Sequence, residues 1–513
     1  MSEESNQQER SSQQRSPREA AEHSVHKIGG TSMADTDAVL NNIFRVGAPD
    51  EELYNRIFVV SAYSGFTDLL LENKKTHEPG VYQLYAGSES DWAWGDALNE
   101  VAEKMYARNR EIFDEDADLN AADSFIRERI EGTRSCLVDL HRLCNYGHFK
   151  LQEHLNTVRE MLSSLGEIHS AHNTVLLLRK KGVKATLIDL SGWRDKQSRS
   201  LDERIEAAFE GKDLSRELPV ATGYSQAPDG MVRRYGRGYS EITFSRIAYL
   251  TDAREAVIHK EYHLSSGDPK IVGEDKVRPI GKTNYDVADQ LSNMGMEAIH
   301  PRAAKALRQK GIPLRVVNTF EPEHPGTAIL DGWEPEQAGP EIVTGLASAV
   351  ELEVFDQDHV GEPGSEEPVI RALSRFNIPT VTKSINANSV THYVQAPLKQ
   401  VRRAMTAIQE ERPEAELRTR KVAIVSIIGA KLKSAPLFSK ALSALDKGGI
   451  EPLASICPSR WVDLQFVLSE SDYEKAISLL HDVILSEDAG ERSTRGAKVP
   501  EKETVGASAT LAA

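Results

Sequence analysis

From Val25 to about Leu330, short apolar runs alternate with stretches in which apolar residues recur at helical spacing. The runs Arg56-Ile57-Phe58-Val59-Val60-Ser61, Lys184-Ala185-Thr186-Leu187-Ile188-Asp189, Leu218-Pro219-Val220-Ala221-Thr222, Ala256-Val257-Ile258-His259 and Pro313-Leu314-Arg315-Val316-Val317 predict strands. Strands separated by amphipathic helices predict an α/β layered domain with a largely parallel sheet. Between residues 70 and 165 strand signals are sparse and helix formers abundant, which predicts a helical insertion. After a turn-rich stretch from Asp331 to Pro340 the pattern becomes two similar units, each reading strand, helix, strand, strand, helix. The first covers 350–355, 368–376, 379–385, 389–394 and 398–409; the second covers 422–428, 435–447, 451–456, 461–468 and 471–485. Such a repeat fits a regulatory or dimerising module, and equally a plain structural α+β domain.

The ends differ in composition. Residues 1–22 are mostly Ser, Gln, Glu and Arg, and residues 487–513 are poor in large apolar side chains, so both are expected to be disordered tails. The 513 residues between and including them exceed what one core usually supports, which predicts several domains. A net charge of −16 argues against nucleic acid as a partner, because phosphate backbones demand clustered Lys and Arg. Three cysteines, Cys136, Cys144 and Cys457, are too few and scattered for a disulfide framework, and no spacing suggests a metal site. Without an apolar run of membrane-span length or a signal segment, a cytoplasmic protein with no membrane partner is expected.

Candidate chemistry gathers where strands open into helices. Val25-His26-Lys27-Ile28-Gly29-Gly30-Thr31-Ser32 places a lysine, two glycines and two hydroxyls at such a turn, where backbone N–H groups approach an anion closely. Ser61-Ala62-Tyr63-Ser64-Gly65-Phe66-Thr67-Asp68 is a second donor-rich turn, and two turns at neighbouring strand ends predict a polar crevice. Glu167, beside Gly166 in a helical pattern, is a candidate for a substrate ammonium, or a solvent-facing acid. Arg237, between glycines and ahead of Tyr239-Ser240-Glu241, suits a carboxylate held by paired hydrogen bonds, or is a basic surface loop.

Together Lys27-Ile28-Gly29-Gly30-Thr31-Ser32, Val59-Val60-Ser61-Ala62-Tyr63-Ser64-Gly65, Gly236-Arg237-Gly238-Tyr239-Ser240-Glu241, Met294-Gly295-Met296-Glu297-Ala298-Ile299-His300-Pro301 and Ile312-Pro313-Leu314-Arg315-Val316-Val317-Asn318-Thr319-Phe320 resemble, in this order, the motifs of the aspartate kinases. The resemblance runs over residues 25–485 and is strongest, through Arg237–Phe244, His259–Pro269 and Asn284–Pro301, to those encoded beside ectoine genes. It implies an amino-acid-kinase three-layer sandwich over 23–330, with the 70–165 insertion, followed by two ferredoxin-like ACT domains over 341–415 and 416–486. It also implies transfer of the γ-phosphoryl of ATP, with Mg²⁺, to the side-chain carboxylate of L-aspartate. The product, 4-phospho-L-aspartate, would feed synthesis of lysine, threonine and methionine, and of ectoine. Lys27, Arg237 and Glu241 would be catalytic; Thr67, Glu167, Tyr224, Arg237 and Ser240 would hold aspartate. Lys27, Gly29, Gly30, Ser61, Lys260, Asp268 and Lys276 would line the nucleotide. A carboxylate nucleophile needs no general base, so Lys27 should matter more than any acid.

This chain departs from the family pattern at Tyr239, Glu241, His259-Lys260 and Glu297. A normally acidic position is Lys260 and a normally lysine position is Glu297, so these charges are expected to have exchanged places and to pair. Lys276 and Lys282 are reserve cations. Other readings are another amino-acid kinase, such as a glutamate kinase, or a catalytically impaired ACT-domain sensor. Asp356, Gln357, Asp358, Gly361, Asn386, Asn388 and Ser389 resemble the polar rim of an amino-acid effector pocket, or turn residues. A homodimer or higher homo-oligomer through the ACT domains is expected.

Overall fold

The computed structural model describes residues 22–74, 76–87, 91–114, 116–296, 298–357, 364–432 and 434–485. Of the tails expected over 1–22 and 487–513 all but Glu22 lies outside the described residues, as do Glu297, Asp358 and Gly361. The chain divides into two compact units: residues 22–264, 279–292 and 298–334 form one, residues 265–278, 293–296 and 335–485 the other.

The first unit is built on eight strands: β1 (Ser24–Ile28), β2 (Arg56–Val60), β3 (Ala185–Ile188), β4 (Leu218–Thr222), β5 (Glu255–Lys260), β6 (Lys282–Asn284), β7 (Leu314–Asn318) and β8 (Thr327–Leu330). Their order across the sheet is β3-β4-β2-β1-β5-β7-β8-β6. All neighbours are parallel except β7 and β8. Strands β2 and β4 are buried at every position, as expected of parallel strands covered on both faces. The two strands the pattern did not predict, β6 and β8, are three and four residues long, too short to carry a periodicity.

The helical insertion comprises helices Val81–Gly87, Asp91–Ile112, Asp116–Cys144 and Leu151–Lys180. The last is 30 residues long and runs past 165 back onto the sheet, with Leu162–Ala171 buried without a break. Buried Asn109 ties two of these helices together by accepting from Asn173 Nδ2 at 2.7 Å and meeting His169 Nε2 at 2.7 Å. Burial holds the His169 ring neutral, at a value of about 3, with His172 and Arg108 adding to the effect.

The second unit carries β9 (Ile342–Phe355), β10 (Thr380–Ile385), β11 (Ser389–Val394), β12 (Glu416–Ile428), β13 (Ala454–Ile456) and β14 (Asp463–Leu468). Helices Glu367–Arg375 and Leu398–Glu411 complete the first repeat, Ser434–Lys447 and Tyr473–Leu485 the second. One antiparallel sheet, ordered β10-β11-β9-β12-β14-β13, joins both. Its centre is the long pairing of β9 with β12, from Phe355 opposite Glu416 to Ile342 opposite Ile428. That pairing explains why β9 begins eight residues before the predicted Val350: each repeat completes the other's strand. Each repeat has its own apolar core, one around Leu352, Leu373 and Ile408, the other around Val425, Phe466 and Leu480. No helix among the described residues is long and apolar enough to cross a membrane.

Candidate active site

In the first unit the turns after β1 and β2 meet. A Cβ on Gly30 would stand 2.7 Å from the Ala62 carbonyl oxygen, so only glycine allows this approach. Ser61 N–H donates to Ile28 O at 3.2 Å, and Gly29 N–H donates to His259 O at 3.3 Å, linking the ends of β2, β1 and β5. The Gly29 amide is therefore already used in the framework. So is the Ser32 hydroxyl, which meets Thr319 Oγ1 at 2.9 Å in a buried contact.

Lys27 leaves β1 toward the first turn of the Tyr239–Leu250 helix, where its Nζ lies 3.4 Å from Glu241 Oε1. Both side chains are largely buried, at 12% and 11% exposure. Glu241 also accepts from the His300 backbone N–H, and it senses Lys260 from the end of β5. Burial opposes its ionisation, but Lys27, Lys260 and the His300 amide overcome that, holding the carboxyl below its ordinary range. Two lysines thus favour the ionised form of one carboxylate, Lys27 in contact with it and Lys260 through its charge. The expected pairing partner of Lys260, Glu297, lies outside the described residues.

One residue earlier on the same helix, Ser240 Oγ donates to Glu167 Oε1 at 2.6 Å. Glu167 comes from the long Leu151–Lys180 helix and is 1% exposed. Its Oε2 is buried without a donor in hydrogen-bonding geometry. Burial pushes this carboxyl up to about 8, against the opposing pull of Ser240, Lys27 and the Tyr224 and Ala62 amides. Room for it comes from Gly223 at the end of β4, where a Cβ would stand 2.8 Å from Ser240 Cβ and 2.9 Å from Glu167 Oε2. Tyr224 is buried against Tyr239 edge-to-face and donates its hydroxyl to Glu160 Oε2 at 2.9 Å. Thr67 stands half-buried in the first turn of helix Phe66–Leu70, and Ser61 half-buried at the end of β2.

The first unit therefore brings together Lys27, Gly29, Gly30, Ser61, Glu167, Tyr224, Ser240, Glu241 and Lys260 on the ends of β1, β2, β4 and β5 and the helices beside them. Arg237 sits in the short 3₁₀ turn Gly236–Gly238 that leads into Ser240. Asp268 and Lys276 belong to the second unit. There Asp268 caps helix Pro269–Val272 by accepting from Lys270 N–H, and Lys276 Nζ contacts both Asp482 oxygens at 3.0 Å. Asn386, proposed as a pocket rim, accepts from Asn388 N–H, Ser389 N–H and Ser389 Oγ, closing the β10–β11 hairpin. Asp356 pairs with Arg412 at 3.2 Å. Two participants escaped the sequence reading. His300 was visible only as part of a motif, and its backbone amide, not its ring, touches Glu241. Glu160 had a signal, its two-turn spacing from Glu167, but an acid in a polar helix is indistinguishable from a solvated one.

The model of the amino acid kinase family matches residues 23–318. Aspartate kinase Ask_Ect of Stutzerimonas stutzeri (strain A1501) is 50% identical over 463 residues, covering 90% of this chain and 97% of that protein. The chain belongs to the amino acid kinase family, and within it to the aspartate kinases. Among solved structures, aspartokinase III of E. coli in complex with aspartate and ADP (R-state) superposes with a TM-score of 0.69 at 19% identity, covering 90% of this chain and all of that one. The same enzyme with lysine and aspartate (T-state) gives 0.67 at 19% identity over the same shares. These two establish the shared fold.

Proposed function

We propose that the first unit binds L-aspartate with its α-ammonium on Glu167 and a carboxylate on Arg237, and transfers to its side-chain carboxylate the γ-phosphoryl of ATP. The observation that carries this reading is the Glu167 carboxylate, buried with one oxygen lacking a donor and held largely protonated near neutral pH. Among the described residues no cation pairs directly with this group, Lys27 acting on it only from beyond ion-pair range. An arriving ammonium supplies the missing donors, and the carboxyl ionises as its proton leaves to solvent. Ser240 keeps Glu167 oriented, and Thr67 and Tyr224 complete the walls around the amino acid.

The aspartate carboxylate oxygen attacks the γ-phosphorus, a new O–P bond forms, and the bond to the β–γ bridging oxygen breaks, leaving the electron pair on ADP. No proton moves in this step. Catalysis then rests on alignment and charge, with Lys27 and Lys260 neutralising the transferring group and Glu241 holding Lys27 in place. The close backbone approach at Gly30 and the two cations fit a polyphosphate. Among the described residues no three His, Cys, Asp or Glu side chains converge as a metal site, so Mg²⁺ would be held chiefly by the phosphates. It would supply further neutralisation there. Asp268 and Lys276 are assigned to the nucleotide by the motif resemblance alone. The same resemblance directs the product to lysine, threonine and methionine synthesis and to ectoine. It assigns an amino-acid effector and the homodimer contact to the second unit.

The test is a coupled assay with ATP and hydroxylamine, using aspartate or glutamate as acceptor. Aspartyl hydroxamate is expected; glutamyl hydroxamate alone, or none with either acceptor, overturns the reading. Repeating it with threonine and lysine identifies the effector.

A further inference from the structure

The Met231–Tyr235 helix begins at Gly230, whose backbone has φ +76° and which offers no side chain to cap the helix. Its first amides are nevertheless satisfied. Glu160 Oε2 accepts from Met231 N–H at 2.9 Å and from Val232 N–H at 3.1 Å, and Oε1 accepts from Arg233 N–H at 2.9 Å. The same carboxylate accepts the Tyr224 hydroxyl at 2.9 Å. A Cβ at Gly230 would lie 2.8 Å from Glu160 Oε1, so the carboxylate occupies the space that a local cap would use.

Glu160 and Glu167 stand seven residues apart on one helix, hence on the same face and about 10 Å apart along the axis. Between the segments they hold, the chain runs from the Met231–Tyr235 helix through Gly236-Arg237-Gly238 to Ser240 and Glu241. One end of this segment is pinned by Glu160, the other by the bond from Ser240 to Glu167. We infer that Glu160 is a positioning residue for aspartate recognition: by capping the Met231–Tyr235 helix from outside, it sets where the Gly236–Gly238 backbone turn stands relative to Glu167. The inference rests on the aspartate-binding reading above. It adds to it a residue whose carboxylate is occupied by Tyr224 and the 231–233 amides and which acts through the turn. Three charge-assisted bonds to one carboxylate on a glycine-flanked turn are the means, since hydrogen bonds to an ionised group are the stronger kind. Tyr224 joins the same anchor to the residue at the end of β4.

The test uses the full-length Glu160→Gln and Glu160→Ala proteins. The glutamine keeps one acceptor oxygen at the same reach, so its effect should be intermediate. In the hydroxamate assay, Glu160→Ala is expected to raise the KM for aspartate on the order of 10-fold while KM for ATP changes less than about 2-fold, with Glu160→Gln between it and the parent. Equal changes in both KM values, or none, overturn the inference. Hydrogen exchange gives a second readout that needs no activity. Amides 231–233 in Glu160→Gln should exchange roughly 10-fold faster, with the rest of the Leu151–Lys180 helix unchanged. Unaltered protection at 231–233 overturns it as well. Should Glu160→Ala fail to fold, Glu160→Gln carries both measurements. A parent protein that makes no aspartyl hydroxamate counts against the functional reading alone, and the exchange experiment still decides whether Glu160 holds the turn.

Discussion

Two buried carboxylates on either side of the Ser240-Glu241 turn face opposite environments. At the phosphate end Glu241 contacts Lys27, feels the charge of Lys260, accepts an amide hydrogen, and is held ionised. At the amino-acid end Glu167 is buried still more deeply, takes the Ser240 hydroxyl on one oxygen, has the other without a donor in hydrogen-bonding geometry, and is pushed up to about 8 by burial against the pull of Ser240, Lys27 and the Tyr224 and Ala62 amides. The residue type is the same and burial opposes ionisation in both, so the direct Lys27 contact, the Lys260 charge and the His300 amide set Glu241 apart. One end is therefore a finished electrostatic assembly, ready for an anion beside its two cations. The other is incomplete until a cation arrives, which makes it selective for an ammonium-bearing ligand.

The strongest way to break this comparison is to remove the finished end's principal cation. Lys27→Met should lower kcat on the order of 10²- to 10³-fold in the hydroxamate assay with KM for aspartate little changed. A loss confined to KM would contradict the assignment. At the other end, Glu167→Gln cannot balance an ammonium, and the KM for aspartate should rise roughly 10- to 100-fold, read in the same assay.

pH sharpens the contrast. Aspartate binding requires Glu167 to lose its proton, so KM for aspartate should fall as pH rises from 6 to about 8, by at most about tenfold per unit, and then level. Glu167→Gln should show no such slope. Stability runs the other way. The folded-state value lies above the ordinary 4.5, so the folded protein keeps a proton that the unfolded chain releases between about 4.5 and 8. This contribution is complete below pH 4.5 and is lost as pH rises through that window, by at most about 1.4 kcal/mol per pH unit. Ligand-free Glu167→Gln should therefore gain Tm over the parent progressively from pH 5 to 8; parallel Tm curves would refute the burial argument.

The smallest expected effect belongs to Lys260, whose charge favours the ionised Glu241 less than that of Lys27 does. Lys260→Met should cost roughly 5- to 10-fold in kcat. Glu241, freed of one cation, would titrate higher, so the acid limb of the pH–rate profile should move upward. An unmoved limb would show that Lys260 does not act on Glu241.

Much of this was legible in the chain. The runs that became β2, β3, β4, β5 and β7 are short and rich in apolar residues, and β2 and β4, buried at every position, read as strands covered on both faces. The β-α-β-β-α repeats carry clear punctuation by Gly, Pro and Asn. Harder to see were β6 and β8, three and four residues long, and the first half of β9, which is a strand because β12 pairs with it. Within the site, Lys27, Glu167, Ser240 and Glu241 stood out through their glycine and hydroxyl neighbours. Glu160 did not, because its role lies in amides 71–73 positions away that no local pattern connects to it.

The sequence alone determined the order of elements, the glycine positions where backbones meet, and the residue types available for charge neutralisation, because these depend on local propensity and steric size. Only the tertiary structure decided the protonation of Glu167 against Glu241, the capping of one helix by another's carboxylate, and the merging of two repeats into one sheet. Each of these depends on which groups from distant parts of the chain share a desolvated space, where a few ångströms set whether a charge finds a partner.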